Sequence, residues 1–238
     1  MRKQKWTLLF CAALIILTAA SCGDKSTTAK SAPDAGAQST VTGSQQVPIA
    51  RYYGKLKISE FLYVYDCQLH QDPAPALQVT IKPYSGDDAA QTLSYALWPD
   101  FDPMTITDGL DVVDINEDGN DELFFDLGIS GKLKTSMCVA YDGKSGQFQF
   151  VDGVDALNAP KVINGFLVSE SLPMEVPPTF DKYALEQAEL RHVGSLTVYE
   201  NESQTLYSES KLVNGKMETV LYKVAADKID LTEWGLSD

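Results

Sequence analysis

The sequence predicts an all-β domain built from antiparallel hairpins. Three observations predict it. Short runs rich in β-branched and aromatic residues recur from Leu56 to Val151, and no long helical pattern separates them. Asn164-Gly165 and Asn214-Gly215 suit the type I′ turns of two-residue hairpins, and Asp-Gly steps begin at Asp108, Asp118, Asp142 and Asp152. Phe61-Leu62-Tyr63-Val64-Tyr65 has the enrichment of a half-buried strand.

The beginning of the chain differs from the rest. Arg2, Lys3 and Lys5 precede an apolar stretch from Trp6 to Ala20. That stretch has the length of a secretory signal and is too short for a comfortable membrane span. Ala19-Ala20-Ser21-Cys22 closes it and resembles a bacterial lipobox. The resemblance implies a lipoprotein signal over residues 1–21, cleavage before Cys22, and lipid on that cysteine; the alternative is an ordinary secretory signal followed by a chance cysteine. Gly23 follows the cysteine where an aspartate would signal inner-membrane retention, so the expected location is the outer membrane, facing the periplasm. Residues 22–46 are rich in Ser, Thr, Ala, Gly and Gln. Such a segment cannot bury enough surface to offset its ordering entropy and reads as a disordered tether. Residues 47–238 remain as one domain, long enough for a sizeable core.

Within that domain strands are expected at Leu56–Ile58, Phe61–Leu69, Ala76–Ile81, Thr92–Leu97, Leu110–Val113, Glu122–Leu127, Leu133–Tyr141 and Gln147–Val151. Tyr141 to Phe148 reads as a hairpin with a glycine-bearing turn, and Val162–Val168 and Lys211–Met217 as hairpins through Asn-Gly. Tyr183 to His192 has helical propensity, but its neighbours pair as strands and Gly194 interrupts it, so it is assigned to strand.

The run from Asp114 to Leu123 places side-chain oxygens at loop positions 1, 3, 5 and 9, with Gly119 at position 6. Calcium takes about 6–8 oxygen ligands at roughly 2.3–2.6 Å, and alternate residues of a tight loop can turn their oxygens inward. Asp114, Asn116, Asp118 and Glu122 would supply side-chain oxygens and Asn120 its backbone carbonyl. An EF-hand would carry a bidentate glutamate at position 12; Phe125 stands there, and both flanks read as strands. The loop therefore joins two strands, and its expected cofactor is a structural calcium; the alternative is an acidic turn that binds nothing.

Set between strands, Asp114 to Leu123 resembles the calcium loop of FG-GAP and VCBS-type β-propeller repeats. The following strand, the Tyr141–Phe148 hairpin, Leu157 and Lys161–Ser169 are similar to the arrangement in a group of bacterial lipoproteins. That group includes periplasmic immunity proteins, which block peptidoglycan-cleaving toxins delivered by bacterium-killing secretion systems. The resemblance implies a propeller-like antiparallel domain with one calcium loop and a non-catalytic, protein-binding role, with a basic secreted peptidoglycan hydrolase as partner. Glu122 stands where the family more usually has aspartate, and no motif carries over the family's toxin-contacting residues.

Composition agrees with a basic partner. The chain has 33 Asp and Glu against 19 Lys and Arg, and three of those bases lie in the expected signal. Such an excess of acid excludes nucleic acid bound through its phosphates and disfavours anionic membrane surfaces, whereas complementary charge accelerates encounter with a cationic protein. Of four cysteines, Cys11 leaves with the signal and Cys22 carries lipid. Cys67 and Cys138 remain as a candidate disulfide in an oxidising compartment, or as two buried thiols. His70 and His192 sit in no nucleophile or metal signature, and no glycine-rich phosphate loop occurs. Catalytic residues are therefore not assigned. An envelope glycan hydrolase using two of the many carboxylates, and a structural envelope lipoprotein without a toxin partner, stand as alternatives.

Overall fold

The structure is a computed structural model that describes residues 47–86, 89–172 and 174–236. The expected signal, the lipidation site at Cys22 and the tether lie outside these residues. The described chain is all-β, with fourteen strands and four short 3-10 turns. β1 (Ala50–Ile58), β2 (Phe61–His70), β3 (Ala76–Pro83) and β4 (Gln91–Ala96) form a first sheet. β5 (Leu110–Val113), β6 (Glu122–Ser130), β7 (Leu133–Asp142) and β8 (Gln147–Phe150) form a second. β9 (Lys161–Ile163), β10 (Phe166–Glu170), β11 (Thr179–Glu186), β12 (Glu189–Glu200), β13 (Thr205–Val213) and β14 (Lys216–Val224) form a third, six-stranded sheet. Each sheet is an antiparallel meander in which strands adjacent in sequence pair. Among the described residues no helix is long and apolar enough to cross a membrane.

The burial of each strand follows from which faces are covered. Successive strand residues point to opposite faces, so a strand with one covered face alternates and a strand covered twice does not. β1 and β3 alternate; β7 is buried continuously from Thr135 to Ala140. The second sheet is accordingly the middle layer. Met137 and Val139 of β7 pack with Leu56, Cys67, Leu77 and Val79 of the first sheet. Cys138 and Ala140, which alternate with them in sequence, pack the other way, with Leu167 and Leu185 of the third sheet. A third cluster, Val168, Leu196, Leu231 and Trp234, is closed over the far face of the third sheet by a C-terminal 3-10 turn, Leu231–Trp234.

This layering corrects the expected disulfide. Cys67 and Cys138 are both free and fully buried, and they sit in different cores. Cys67 lies between the first and second sheets, whereas Cys138 points to the opposite face of β7. Burial pushes the Cys67 thiol up to about 12 and Cys138 well above its ordinary value, which leaves both as inert packing groups.

The eight strands expected up to Val151 are present, although β1 begins at Ala50, well before the expected Leu56, and both Asn-Gly pairs form two-residue hairpins with positive φ at each turn residue. Tyr183 to His192 is the end of β11 and the start of β12, joined by Gln187 and Ala188 at φ 52° and 62°. Their side chains give no glycine or asparagine signal for a turn of that shape.

Candidate functional site

The loop between β5 and β6 is where all three sheets meet. Glu117, at φ 58°, and Gly119, at φ 87°, bend it left-handed, and the following amides turn back on the loop's first carboxylate. Asp118 donates its amide to Asp114 Oδ1 at 3.0 Å, and Gly119 donates to Asp114 Oδ2 at 2.8 Å. The Asn120 amide donates to Asp118 Oδ1 at 2.9 Å, and Asn116 Nδ2 donates to Asp118 Oδ2 at 3.0 Å. Asn116 Oδ1 accepts only a longer bond, 3.3 Å, from the Asp118 amide. Glu122 opens β6 at 3 % exposure and accepts the Ile115 amide at 2.8 Å. Burial pushes its carboxyl up to about 8; the Ile115 amide opposes that shift, and Asp118, Asp114 and Asp121 add to it.

Two further attachments hold the loop. On one side Asn120 bridges Ile58 of β1, and Asn120 Oδ1 accepts from the Ser59 amide at 2.9 Å. Next to it, the Asp121 amide donates to the Lys57 carbonyl at 2.7 Å and Asp121 Oδ2 accepts from the Lys57 amide at 2.6 Å. On the other side Asn116 Nδ2 donates to the Leu185 carbonyl of β11 at 3.0 Å. A cleft of about 690 Å³ opens there, with Asn116 and Asp118 on one wall and Glu186, Gln187 and Glu189 on the other.

The five residues expected as ligands thus fall in one hydrogen-bonded loop. Among the described residues, however, no group of three or more His, Cys, Asp or Glu side chains is drawn together as a metal site. Asp114, Asp118 and Glu122 instead receive the loop's own amides. The donor set still fits a hard cation: every donor is oxygen, three are carboxylates, and an accepted amide bond leaves a carboxylate oxygen further lone pairs. Asn116 fits best, because its amide nitrogen is held by Leu185 and Asp118 while its oxygen stays on the loop side. The Asn120 side chain is committed to Ser59, which leaves its backbone carbonyl as the oxygen it could offer.

Two features had no clear sequence signature. Asp126, an acid inside an apolar strand run, accepts from Thr107 Oγ1 at 2.7 Å, Gly128 N at 2.8 Å, and the amides of Thr107 and Asp108 at 2.9 Å each. It organises the turn that enters β5. Asp181, His192 and Ser195 also converge, but not as a nucleophile with its base. Ser195 Oγ donates to Asp181 at 2.5 Å, and one nitrogen, His192 Nε2, meets Ser195 Oγ, Asp181 and the Gly194 carbonyl together. A triad needs serine and carboxylate on opposite ring nitrogens.

No family model matches the chain, and no curated protein matches it. Among solved structures, one described as the structure of a Xanthomonas type IV secretion system related protein is similar at a TM-score of 0.46. Its identity is 16 %, over 72 % of this chain and 98 % of that one.

Proposed function

We propose that the protein is an envelope-anchored, calcium-stabilised, non-catalytic binding lipoprotein, held to the outer membrane through lipid on Cys22. We further propose that it acts as an immunity or inhibitor protein against a basic secreted peptidoglycan hydrolase. The observation that carries the calcium part is the loop itself: Asp114, Asn116, Asp118 and Glu122 lie within one set of turn hydrogen bonds, tied to β1 on one side and β11 on the other. An ion bound there offsets the mutual repulsion of the carboxylates and tightens the joint between three sheets. Asp114, Asn116, Asp118 and Glu122 would hold it by side-chain oxygens and Asn120 by its carbonyl. The stacking of two consecutive four-stranded meanders supports the kinship with propeller blades.

Three observations support the binding part. The chain is strongly acidic. Phe61, Leu62 and Tyr84 stand exposed at one end of the first sheet, with the Tyr84 amide donating to the Leu62 carbonyl. The Ser-His-Asp cluster lacks the geometry of a nucleophile.

The calcium part is tested by thermal unfolding in millimolar calcium and in chelator. The melting temperature is expected to fall in chelator, and Asp114→Ala or Asp118→Ala to abolish the difference; identical wild-type curves would reject the ion. At a hundredfold excess of ion over Kd the stabilisation is about 2.7 kcal/mol. The partner part is tested with purified wall sacculi. The protein alone is expected to release no soluble fragments and to suppress release by a cationic hydrolase encoded beside it. Fragments released by the protein alone would instead establish a glycan hydrolase.

A further inference from the structure

A second cleft, of about 680 Å³, lies on the third sheet and shares Phe166 with the cleft beside the metal loop. Its floor carries a buried cation. Lys182 on β11 lies opposite Gly194 of β12, at a bulge between Lys182 and Tyr183. Its side chain is only 9 % exposed. The ammonium sits 4.3 Å from the centre of the Trp234 ring and 5.3 Å from that of Phe166. Gly194 makes room for this arrangement: a Cβ there would lie 3.3 Å from Trp234 Cη2 and 3.2 Å from the Ser210 carbonyl.

The polar groups of this cleft are under-used. An ammonium has three protons to donate. Among the described residues the only acceptor in reach of Lys182 is Glu233 Oε2, at 3.4 Å, on a side chain that is 46 % exposed. Trp234 Nε1 is buried with no hydrogen-bond partner among those residues. Arg191 and Lys211 line the same cleft, whereas the carboxylates they pair with, Glu186 and Glu209, do not line it. The cleft therefore presents three cations and one carboxylate, in a chain whose overall charge is strongly negative.

We propose that this cleft binds a small organic anion, a carboxylate or phosphate ester carried on a flat apolar body. Lys182 is its central cation, the Trp234 and Phe166 rings are its apolar walls, and Arg191 and Lys211 attract it at the rim. Desolvated aromatic walls strengthen the charge contact, and a buried ammonium with spare donors rewards an acceptor oxygen more than an exposed one does.

The test is a ligand-observed fluorine NMR titration of the full-length protein with fluorobenzoate, fluorophenyl phosphate and the uncharged fluorobenzyl alcohol. The expected result is saturable binding of one or both anions, about tenfold or more tighter than the alcohol. Lys182→Met is expected to bring the anions down to the level of the alcohol, and Lys144→Met, beside the other cleft, to leave them unchanged. If Lys182→Met does not fold, Lys211→Gln on the exposed rim takes its place, with a several-fold loss of anion affinity expected. No saturable binding of either anion, equal binding of anion and alcohol, or wild-type anion affinity in a folded Lys182→Met or Lys211→Gln protein would each overturn the proposal.

Discussion

Lys57 and Asp121 exchange two hydrogen bonds across 64 positions of sequence. The Asp121 amide donates to the Lys57 carbonyl at 2.7 Å, and the Lys57 amide donates to Asp121 Oδ2 at 2.6 Å. Asp121 stands inside the metal loop yet faces β1, so it serves as a strap and not as a ligand. Asp121→Ala removes one charge-assisted bond and is expected to cost about 1–2 kcal/mol. That cost is expected to be the same in calcium and in chelator, because the strap forms either way. Asp114→Ala is expected to cost more in calcium than in chelator. Urea unfolding of both variants under both conditions separates the roles; a calcium-dependent cost for Asp121→Ala would make it a ligand.

Asp126 sets a different dependence, on pH. Burial alone would raise its carboxyl, but hydrogen bonds from Asp108, Thr107 and Gly128 outweigh burial and hold it below the ordinary aspartate value. An acid with a lowered folded pKa stabilises the fold above its unfolded value of about 3.9, and the stabilisation is lost as pH falls through the lower folded value. Asp126→Asn is expected to remove this acid-sensitive portion. At neutral pH it is expected to cost about 2–3 kcal/mol, since it replaces a charged acceptor of several short bonds. Urea unfolding at stepped pH checks this, and parallel acid limbs for wild type and variant would contradict it.

How far these sites could be read from sequence depends on how local their physics is. The eight strands up to Val151 were legible because β-branched and aromatic runs alternate with glycine-bearing turns. The loop was legible because its oxygens and Gly119 lie within ten residues. Lys57, Ser59 and Leu185, which hold that loop, come from the first and third sheets, and no pattern near Asp114 names them. Lys182 was invisible for the same reason. Its burial depends on Trp234, which returns from 52 positions further on to cover the sheet.

The cysteines show a parity argument overruled by layering. Two thiols in an oxidising compartment suggested a bond, but adjacent residues of β7 face different cores, and Cys138 faces away from Cys67. A thiol reagent added in denaturant without reductant is expected to label both Cys67 and Cys138, while in native buffer both are protected. Reductant is expected to leave the melting temperature unchanged. A fall in melting temperature with reductant, or no labelling at these two positions after unfolding, would restore the bond.

The β11–β12 hairpin supplies the last expectation. Its turn residues Gln187 and Ala188 both adopt positive φ, a region that costs an ordinary L-residue about 1 kcal/mol or more and that asparagine and glycine occupy more readily. Ala188 is buried in the second core, so its methyl contributes packing that glycine would lose. Gln187 is exposed and lines the cleft beside the metal loop, so it can change without disturbing that core. Gln187→Asn is expected to raise the unfolding free energy by a few tenths to about 1 kcal/mol. The hairpin also carries the Leu185 carbonyl that accepts from Asn116. A stiffer turn is therefore expected to tighten calcium binding slightly, and Gln187→Pro, whose ring fixes φ near −65°, to weaken both stability and ion affinity. Urea unfolding and calcium titration of the two variants check the pair, and a Gln187→Pro protein with wild-type calcium affinity would uncouple the hairpin from the loop.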